Sequence, residues 1–207
     1  MRKECQYISV HPESPQTRLL QQVVEILEKG GVIAYPTESG YALGCLLDVS
    51  DGAKRIRAIR RLDEAHELTL MCRDLSNLSS YAKVGNSAFR YLKNHLPGPY
   101  TFILTASREV PRRLQCPKRK TIGLRVTTNQ VTNALLSFLD KPLLTTSLVL
   151  PGEDHPMTDG WTIREELGHA LDCVLDGGYS GFEPTTIIDF TEDEPILIRQ
   201  GQGVFQA

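Results

Sequence analysis

The sequence predicts a single α/β domain built on a twisted, open, mixed sheet with flanking helices. The chain has 207 residues, 41% of them hydrophobic, which is enough for one good core and too little for two. Helical and strand patterns alternate along it without an internal repeat or a low-complexity linker. Some neighbouring strands are joined by links too short for a helical crossover, so the sheet should contain both parallel and antiparallel pairs. We expect the domain to span residues 14–201 and residues 1–13 to form an N-terminal extension.

The predicted helices have apolar residues that recur on one face and capping or breaking residues at their ends. Ser14 can cap the first helix with Pro15 at its first position, and Gly30 should end it. The same periodicity predicts further helices over residues 51–61, 87–96, 131–139 and 161–171.

Short apolar runs bounded by polar residues, glycine or proline predict the strands. Residues 32–35 form the first strand, and we expect Pro36 to stop it because proline lacks the backbone N–H that a ladder needs. The other predicted strands are 68–72, 100–106, 121–126, 143–147, 173–176, 185–190 and 196–199.

The sequence lacks the motifs that are typical of several classes of protein. The five cysteines are scattered without a C-x-x-C motif, which argues against a zinc site or a disulfide framework and fits a reducing cytoplasm. Neither G-x-x-x-x-G-K-[ST] nor G-x-G-x-x-G is present, and the five histidines are isolated, without H-E-x-x-H. No apolar run approaches the roughly 20 residues of a membrane span, and no signal-peptide core is present. We therefore expect a cytoplasmic protein without a resident metal site or a membrane partner.

The charged residues are segregated, although the net charge is only −2. Residues 54–61 hold five basic side chains and no acid, and residues 108–125 hold seven basic side chains and one glutamate. These two basic windows contain 12 of the 23 lysines and arginines. A patch formed from both would attract phosphates. The alternative is two solvated surfaces that never meet in space.

Three arginines in apolar surroundings are candidates for binding an anion. Arg60 continues the apolar face of its predicted helix, Arg125 lies within an apolar strand, and Arg199 follows one. Each could instead form a structural salt bridge, for example with Asp189, or extend to the rim of the protein. Hydroxyl groups at other strand ends favour an acidic or phosphorylated ligand; they belong to Thr37, Thr145, Ser147 and Thr185.

Seven segments are recognisable in order over nearly the whole chain: GGVIAYPTESGYALGC, LPGPYTFIL, EVPRRL, TIGLRV, LLTTS followed by LPG, DGGYSGFEPTTIIDF and ILIRQG. Together they resemble the YrdC-like family, which includes threonylcarbamoyl-AMP synthase, and most closely its YciO branch. The resemblance implies a twisted α/β sheet with a basic concave surface. It also implies synthesis of threonylcarbamoyl adenylate from L-threonine, bicarbonate and ATP with Mg²⁺, a step towards threonylcarbamoyladenosine in tRNA. Some members of the family bind double-stranded RNA.

The resemblance implies roles for individual residues. Thr37 matches the threonine that contacts the substrate amino acid, and Arg125 matches the arginine that holds its carboxylate. We expect Arg125 to be this carboxylate clamp and not a structural ion pair. Arg60 falls on the lysine of the family's K-x-R element, which implies a catalytic and nucleotide-binding role. The other matches are Thr121, Ser147 and Arg199 on the nucleotide side, and Thr145 and Thr185 on the wall between amino acid and phosphate.

The chain departs from the family pattern at the phosphate end. Leu62 replaces the arginine of K-x-R, Val149 replaces the asparagine of S-x-N, and Met71 replaces a histidine that follows K-x-R. Each change removes a polar group from the region expected to bind phosphate. We therefore expect an intact amino-acid end and a weakened triphosphate end.

Three functions fit the sequence. The first is a threonylcarbamoyl-AMP synthase-like enzyme that binds threonine and ATP, AMP or a related adenylate, with a weak forward reaction. The second is a non-catalytic module that binds double-stranded RNA or tRNA. The third is a related enzyme that removes or transfers a carbamoyl or threonylcarbamoyl group. The RNA contacts expected for the second are Arg112, Arg113, Lys118, Arg119 and Lys120.

Overall fold

The computed structural model describes residues 4–64 and 66–206. The strands in this part of the chain are β1 (Gln6–Ser9), β2 (Ile33–Thr37), β3 (Gly40–Leu46), β4 (Thr69–Met71), β5 (Tyr100–Thr105), β6 (Thr121–Arg125), β7 (Leu143–Ser147), β8 (Cys173–Asp176), β9 (Thr186–Asp189) and β10 (Ile196–Arg199). They form one sheet in the order β1-β8-β2-β3-β7-β4-β6-β5-β9-β10. Four pairs are parallel, β1 with β8, β2 with β8, β4 with β6 and β5 with β9, and the others are antiparallel. The prediction of a single α/β domain with a mixed open sheet is confirmed.

Six α-helices flank the sheet in the described residues: α1 (Thr17–Glu28), α2 (Ser50–Arg60), α3 (Leu75–Tyr81), α4 (Asn86–His95), α5 (Gln130–Leu139) and α6 (Gly160–Leu167). The five predicted helices are all present, although α1 begins after Ser14 and Pro15. The sequence analysis does not predict α3. This short helix begins at the cap residue Asp74, whose carboxylate accepts from the backbone N–H of Asn77 at 2.7 Å.

Strand β1 lies inside residues 1–13, the segment expected to be an extension. It pairs in parallel with β8, Gln6 opposite Cys173. The backbone N–H of Gln6 also donates to the carbonyl of Asp172 at 3.0 Å. This part of the N-terminal segment therefore contributes an edge strand to the sheet.

The hairpin of β2 and β3 differs from the prediction in two ways. Pro36 does not stop β2, which continues to Thr37. Strand β8 pairs only with Ile33 and Ala34, so at Pro36 one side of β2 has no neighbour and the missing N–H costs no ladder hydrogen bond. Strand β3, which the sequence analysis does not predict, is buried at every residue. It therefore lacks the alternation of polar and apolar residues that marks a half-exposed strand.

The two faces of the sheet are covered unequally. Helices α2, α3, α4 and α6 bury one face along most of its width, through residues such as Ile56, Leu78, Leu92 and Ile163. On the other face, α1 and α5 cover β8, β2, β3 and β7. Their apolar cluster includes no described residue of β5, β6 or β9.

We call the uncovered side of β5, β6 and β9 the open face. Side chains alternate along a strand, and Phe102, Leu124 and Ile188 point into the helix-covered core. The residues on the opposite side of these strands therefore point to the open face; they include Thr101, Thr121, Arg125 and Asp189.

All five cysteines are free thiols. No described helix is both long and apolar enough to cross a bilayer.

Candidate functional site

The turn between β2 and β3 reaches the end of β6 on the open face. Arg125 Nη2 donates to Glu38 Oε1 and to Ser39 Oγ, both at 2.8 Å. The hydroxyl of Thr127 donates to the second carboxylate oxygen of Glu38. The side chains of Arg125 and Glu38 are only 5% and 12% exposed. Arg125 therefore forms a nearly buried ion pair, and the expectation that it is not paired within the protein is wrong.

A second arginine lies near this pair. Arg199 Nε and Nη2 both donate to the backbone carbonyl of Thr185, at 3.3 and 2.9 Å. The Thr185 hydroxyl in turn lies 2.9 Å from that of Thr101. Burial lowers the pKa of Arg199, and the charge of Arg125 lowers it further. The two guanidinium groups therefore repel each other, and an anion bound between them would relieve that repulsion.

The hydroxyl protons of Thr37 and Thr145 are already committed. Thr37 Oγ1 donates to the carbonyl of Gly40 at 2.7 Å and so closes the hairpin turn. Thr145 Oγ1 donates to the carbonyl of Leu43 at 2.8 Å and lies 2.6 Å from the hydroxyl of Tyr35. Thr145 is 1% exposed, so the structure places it in the core and not on the wall of a cavity. Thr37 Oγ1 also accepts from the backbone N–H of Ser39 at 3.1 Å, and its remaining acceptor position faces the Ser39 hydroxyl at 3.3 Å.

Thr121 and Ser147 have hydroxyl groups without a hydrogen-bond partner among the described residues. Thr121 begins β6 on the same face as Arg125, and it is 2% exposed. Ser147 ends β7 and is half-buried. Unlike the Thr145 hydroxyl, these two hydroxyls are not committed to a hydrogen bond among the described residues, although Thr121 is as buried as Thr145.

Arg60 approaches β7 from the side of α2. Its Nη1 donates to Thr146 Oγ1 at 2.6 Å, and its Nε donates to the carbonyl of Val149 at 3.1 Å. Both acceptors are neutral, and no described carboxylate forms a salt bridge with Arg60. Burial lowers the pKa of this guanidinium. Thr145 and Ser147 point to the opposite face of β7, so the structure does not join Arg60 to these residues by direct contact.

Asp189, considered above as a partner for Arg60, pairs with Arg119 instead. Arg119 Nη2 donates to Asp189 Oδ2 at 2.6 Å and to Thr191 Oγ1 at 2.9 Å. The Asp189 side chain is 4% exposed, so Arg119 neutralises a buried carboxylate. Arg119, predicted as an RNA contact on the basic rim, is thus half-exposed and paired with a carboxylate of the protein. With Arg125 also paired, two arginines of the expected basic surface are balanced by carboxylates.

The two basic windows meet in space. A cavity of ≈ 480 Å³ is lined by Ser50 and Arg57 of α2 and by Arg113 and Pro117 of the second window. Arg113 Nη2 also donates to the carbonyl of Leu47, just before α2, at 3.3 Å. The alternative in which these surfaces never meet is excluded. A neighbouring cavity of ≈ 630 Å³ is lined by Lys83, Arg108, Arg112 and Lys120, among others.

The sequence analysis assigns no role to Glu38, Ser39 or Thr127. In the structure, Glu38 and Ser39 bind the Arg125 guanidinium, and Thr127 binds Glu38. The available signal was polarity in a turn between two wholly buried strands. Among the described residues, no group of three or more histidine, cysteine, aspartate or glutamate side chains is placed to hold a metal ion. A magnesium ion accompanying ATP is held mainly by phosphate oxygens and water, so it needs no such group.

The fold and the site together define a class: an α/β protein whose open sheet face carries guanidinium and hydroxyl groups. The family profile for Sua5, YciO and YrdC, described as "Telomere recombination", matches residues 25–201. The chain belongs to this family, as its sequence motifs predict.

Similar proteins cover nearly the whole chain. An uncharacterized protein of Haemophilus influenzae is 55% identical over 199 residues, 96% of each chain. The uncharacterized protein YciO of Escherichia coli K12 is 52% identical over 198 residues, again 96% of each chain. The crystal structure of E. coli YciO superposes with a TM-score of 0.93, covering 97% of both chains. Sua5 of P. abyssi, solved with L-threonine, is 26% identical with a TM-score of 0.85, covering 94% of this chain and 57% of that one.

Proposed function

We propose that this protein is a threonylcarbamoyl-AMP synthase-like enzyme that binds L-threonine and ATP, AMP or a related adenylate, acts in the cytoplasm, and serves threonylcarbamoyladenosine modification of tRNA. Its forward reaction is weak. The single observation that carries the proposal is the nearly buried guanidinium of Arg125 on the open face, beside the hairpin turn of Thr37. Support comes from the related Sua5 fold, which has been solved with L-threonine.

The proposed amino-acid site lies where the β2–β3 turn meets β6. Arg125 is the donor for the carboxylate of threonine. Thr37 accepts from its amino group when the Ser39 hydroxyl turns away from Thr37. Arg199 and Thr185 lie on the side towards the nucleotide, where the hydroxyls of Thr121 and Ser147 are available to phosphate or ribose. Arg60 supplies a cation without a carboxylate partner on the α2 side of β7.

The proposed reaction requires the protein to orient its reactants and does not require a nucleophilic side chain. In the proposed reaction, the carbamate formed from threonine and bicarbonate attacks the α-phosphorus of ATP, and pyrophosphate leaves. The protein has to bring two anions together and neutralise the charge that develops between them, for which arginines and hydroxyl groups suffice. Mg²⁺ bound to ATP supplies additional charge neutralisation.

The weakness of the forward reaction follows from Leu62 and Val149. Neither side chain donates a hydrogen bond, and both stand where the family pattern has a polar residue. Removing one donor from a charge-stabilising site costs about 3 kcal/mol, or about a hundredfold in rate.

A pyrophosphate-release assay with threonine, bicarbonate, ATP and Mg²⁺ tests the proposal. We expect slow release that requires threonine and bicarbonate and that disappears in Arg60→Ala. The matched control is Arg73→Ala, because Arg73 pairs with Asp74 and Asp140 away from the site. Release that continues without threonine, or that is unaffected by Arg60→Ala, contradicts the proposal.

A second candidate function is binding of double-stranded RNA or tRNA, as a non-catalytic module. The observation that favours it is the contact between the basic windows, which gathers Arg57 and Arg113 around one cavity. Double-stranded RNA is recognised mostly through its shape and its phosphates, so a basic groove without an aromatic platform is suitable. A salt titration of duplex RNA binding tests this function.

A further inference from the structure

A cavity of ≈ 630 Å³ lies where β5 ends and β6 begins, and we call it the β5–β6 cavity. Among the described residues, its lining contains no aspartate or glutamate but four basic side chains, those of Lys83, Arg108, Arg112 and Lys120. Within residues 4–64 and 66–206, none of the four forms a salt bridge, in contrast to Arg119 and Arg125. The cavity therefore concentrates positive charge that the protein itself does not neutralise.

Backbone hydrogen bonds fix the segments that carry two of these cations. The N–H of Lys83 donates to the carbonyl of Thr105 at 2.8 Å. The adjacent residues Ala82 and Ala106 form a bridge. The N–H of Ala106 donates in turn to the carbonyl of Lys120 at 2.9 Å. The segment after α3, the end of β5 and the start of β6 are thus joined, so the backbones of Lys83 and Lys120 are in place before a ligand arrives.

Lys120 has a backbone conformation that lysine rarely adopts. Its φ angle is 53°, in the left-handed region that glycine and asparagine adopt most easily. Its N–H donates to the carbonyl of Cys116 at 2.8 Å, within the turn that leads into β6. Glycine would form this turn without strain, so lysine is less favourable for folding here. A strained residue on the wall of a cavity indicates a functional role for its side chain.

We propose that the β5–β6 cavity is a binding site for a compact polyphosphate, a ligand with three or more linked phosphate groups. Four like charges around one cavity repel one another, and a multiply charged anion relieves that repulsion. Phosphate oxygens accept from lysine and from arginine, and arginine can donate two parallel hydrogen bonds. The volume of the cavity lies in the range of small-molecule sites, about 300–1,000 Å³.

The exposure of the four cations favours linked phosphates over a single one. All four side chains are exposed, so salt screens each contact and each is weak by itself. Affinity then requires several phosphate groups bound at once. RNA presents the same groups, but along an extended backbone, whereas the four cations line a single concave volume. This arrangement favours a compact ligand.

The β5–β6 cavity is distinct from the proposed amino-acid and nucleotide site. Its lining includes none of Arg60, Arg125 and Arg199. Thr105 of the lining lies opposite Thr121 across β5 and β6, so the two sites are neighbours that share no basic residue. The inference therefore goes beyond the proposed function and does not depend on it.

Calorimetric titration with inorganic tripolyphosphate tests the inference. We expect wild type to bind it with a dissociation constant below about 0.1 mM at about 0.1 M salt, and to bind orthophosphate at least about tenfold more weakly. Lys120→Gly removes one cation and relieves the backbone strain. It should bind tripolyphosphate about fivefold more weakly and yet unfold at the same or a higher denaturant concentration, so that misfolding does not explain the loss. Arg112→Gln should weaken binding by a similar factor.

Two control variants locate the ligand. Lys141→Gln removes an exposed cation outside the cavity, and it should bind tripolyphosphate within about twofold of wild type. Arg60→Ala removes a cation of the proposed nucleotide site, and it should also stay within about twofold. A parallel titration with duplex RNA distinguishes the two sources of phosphate.

Four results would overturn the inference. The first is no binding of tripolyphosphate by wild type, and the second is equal affinity for orthophosphate. The third is binding that Lys120→Gly and Arg112→Gln leave unchanged while Arg60→Ala abolishes it, because the ligand would then lie in the nucleotide site. The fourth is RNA binding that Lys120→Gly weakens without any binding of tripolyphosphate, which would assign these cations to RNA. The proposed function stands in all four cases, because its own test is threonine-dependent release of pyrophosphate.

Discussion

Arg60 Nη1 lies 2.6 Å from Thr146 Oγ1, and this hydrogen bond ties the end of α2 to the helix-covered side of β7. The guanidinium is thereby held next to the end of the strand by neutral acceptors only. A cation that is desolvated without a carboxylate partner is suited to an incoming anion, and its position is set before the ligand arrives. Leu62 follows Arg60 closely in the chain, and Val149 follows β7 and supplies the second acceptor.

The first prediction is that Leu62→Arg together with Val149→Asn raises the rate of threonine-dependent pyrophosphate release by about tenfold or more, since each new side chain can donate to phosphate. The backbone carbonyl of Val149 that accepts from Arg60 is retained in this double variant. Leu62→Met with Val149→Leu is the matched control, because it changes size without adding donors. Equal rates in the double variant and the control would show that these two positions do not limit the reaction.

The second prediction concerns Arg125→Lys, which keeps the positive charge but loses the planar fork. Lysine cannot reproduce both 2.8 Å contacts with Glu38 and Ser39, so we expect a loss of about 1–3 kcal/mol in the free energy of unfolding and a loss of threonine binding. Chemical denaturation and calorimetry measure the two effects. Arg73→Lys, at an exposed pair, should change neither by a comparable amount. A variant that binds threonine as wild type does would remove Arg125 from the ligand site.

The third prediction is a loss of stability in acid that depends on Asp189. Burial raises the pKa of this carboxyl group, but hydrogen bonds from Thr191 and Arg119 outweigh burial and leave the pKa below its ordinary value. Because the pKa of Asp189 is lower in the folded protein than in the unfolded chain, its ionised carboxylate stabilises the fold. This stabilisation is fully present above the ordinary pKa of about 4 and is lost as the pH falls through the lower pKa of the folded protein.

Asp189→Asn should therefore lower the free energy of unfolding at pH 7 by about 1–3 kcal/mol and flatten its decline below about pH 4. Denaturation midpoints measured from about pH 7 to about pH 2 give both quantities. Asp193→Asn removes the same charge from the adjacent exposed segment and serves as the control. If the two variants follow the same acid curve, the pair of Asp189 with Arg119 does not contribute to acid stability.

The fourth prediction is that RNA binding depends on Arg112, Arg113 and Lys118 and weakens steeply with salt, because contacts with phosphate release counterions. Arg119 is left unchanged in this test because it neutralises Asp189. Changing the three residues to glutamine should reduce the slope of log affinity against log salt concentration for duplex RNA by up to about 2–3.

The control for the RNA experiment is a triple glutamine variant of exposed basic residues outside the windows, Arg18, Lys29 and Lys141. It should leave the slope unchanged. Parallel curves for both triple variants, or no binding by wild type at low salt, would remove RNA as a direct partner.

Most of the sheet and the helices follow from local pattern. The bounds of three strands, 143–147, 173–176 and 196–199, are predicted to the residue. The predictions fail where the conformation of a strand depends on a neighbouring strand that is distant in sequence. Strand β1 has four residues, of which only Tyr7 and Ile8 are apolar, and its strand conformation depends on pairing with β8. Pro36 remains in β2 because of where β8 stops, which no local pattern contains.

The candidate site was predictable as a set of residue types but not as a set of contacts. Arg60, Arg125 and Arg199 stand out because arginine is unusual in an apolar context. Which anion each one meets depends on side chains far away in sequence, such as Glu38 for Arg125. The commitment of Thr145 to Tyr35 and Leu43 likewise becomes visible only when β2, β3 and β7 lie side by side.

Because β1 pairs with β8, the strands of the sheet cannot pair in the order in which they are synthesised. Cys173 of β8 lies opposite both Gln6 of β1 and Ile33 of β2, so two strands that precede β8 in the chain depend on it for pairing. At a translation rate of about 5–20 residues per second, the intervening stretch takes roughly 10 to 30 s to emerge from the ribosome. Until then the β2–β3 hairpin, which carries Glu38, has an unpaired outer edge. The hairpin that holds Arg125 is thus synthesised well before β8, the strand that completes its side of the sheet.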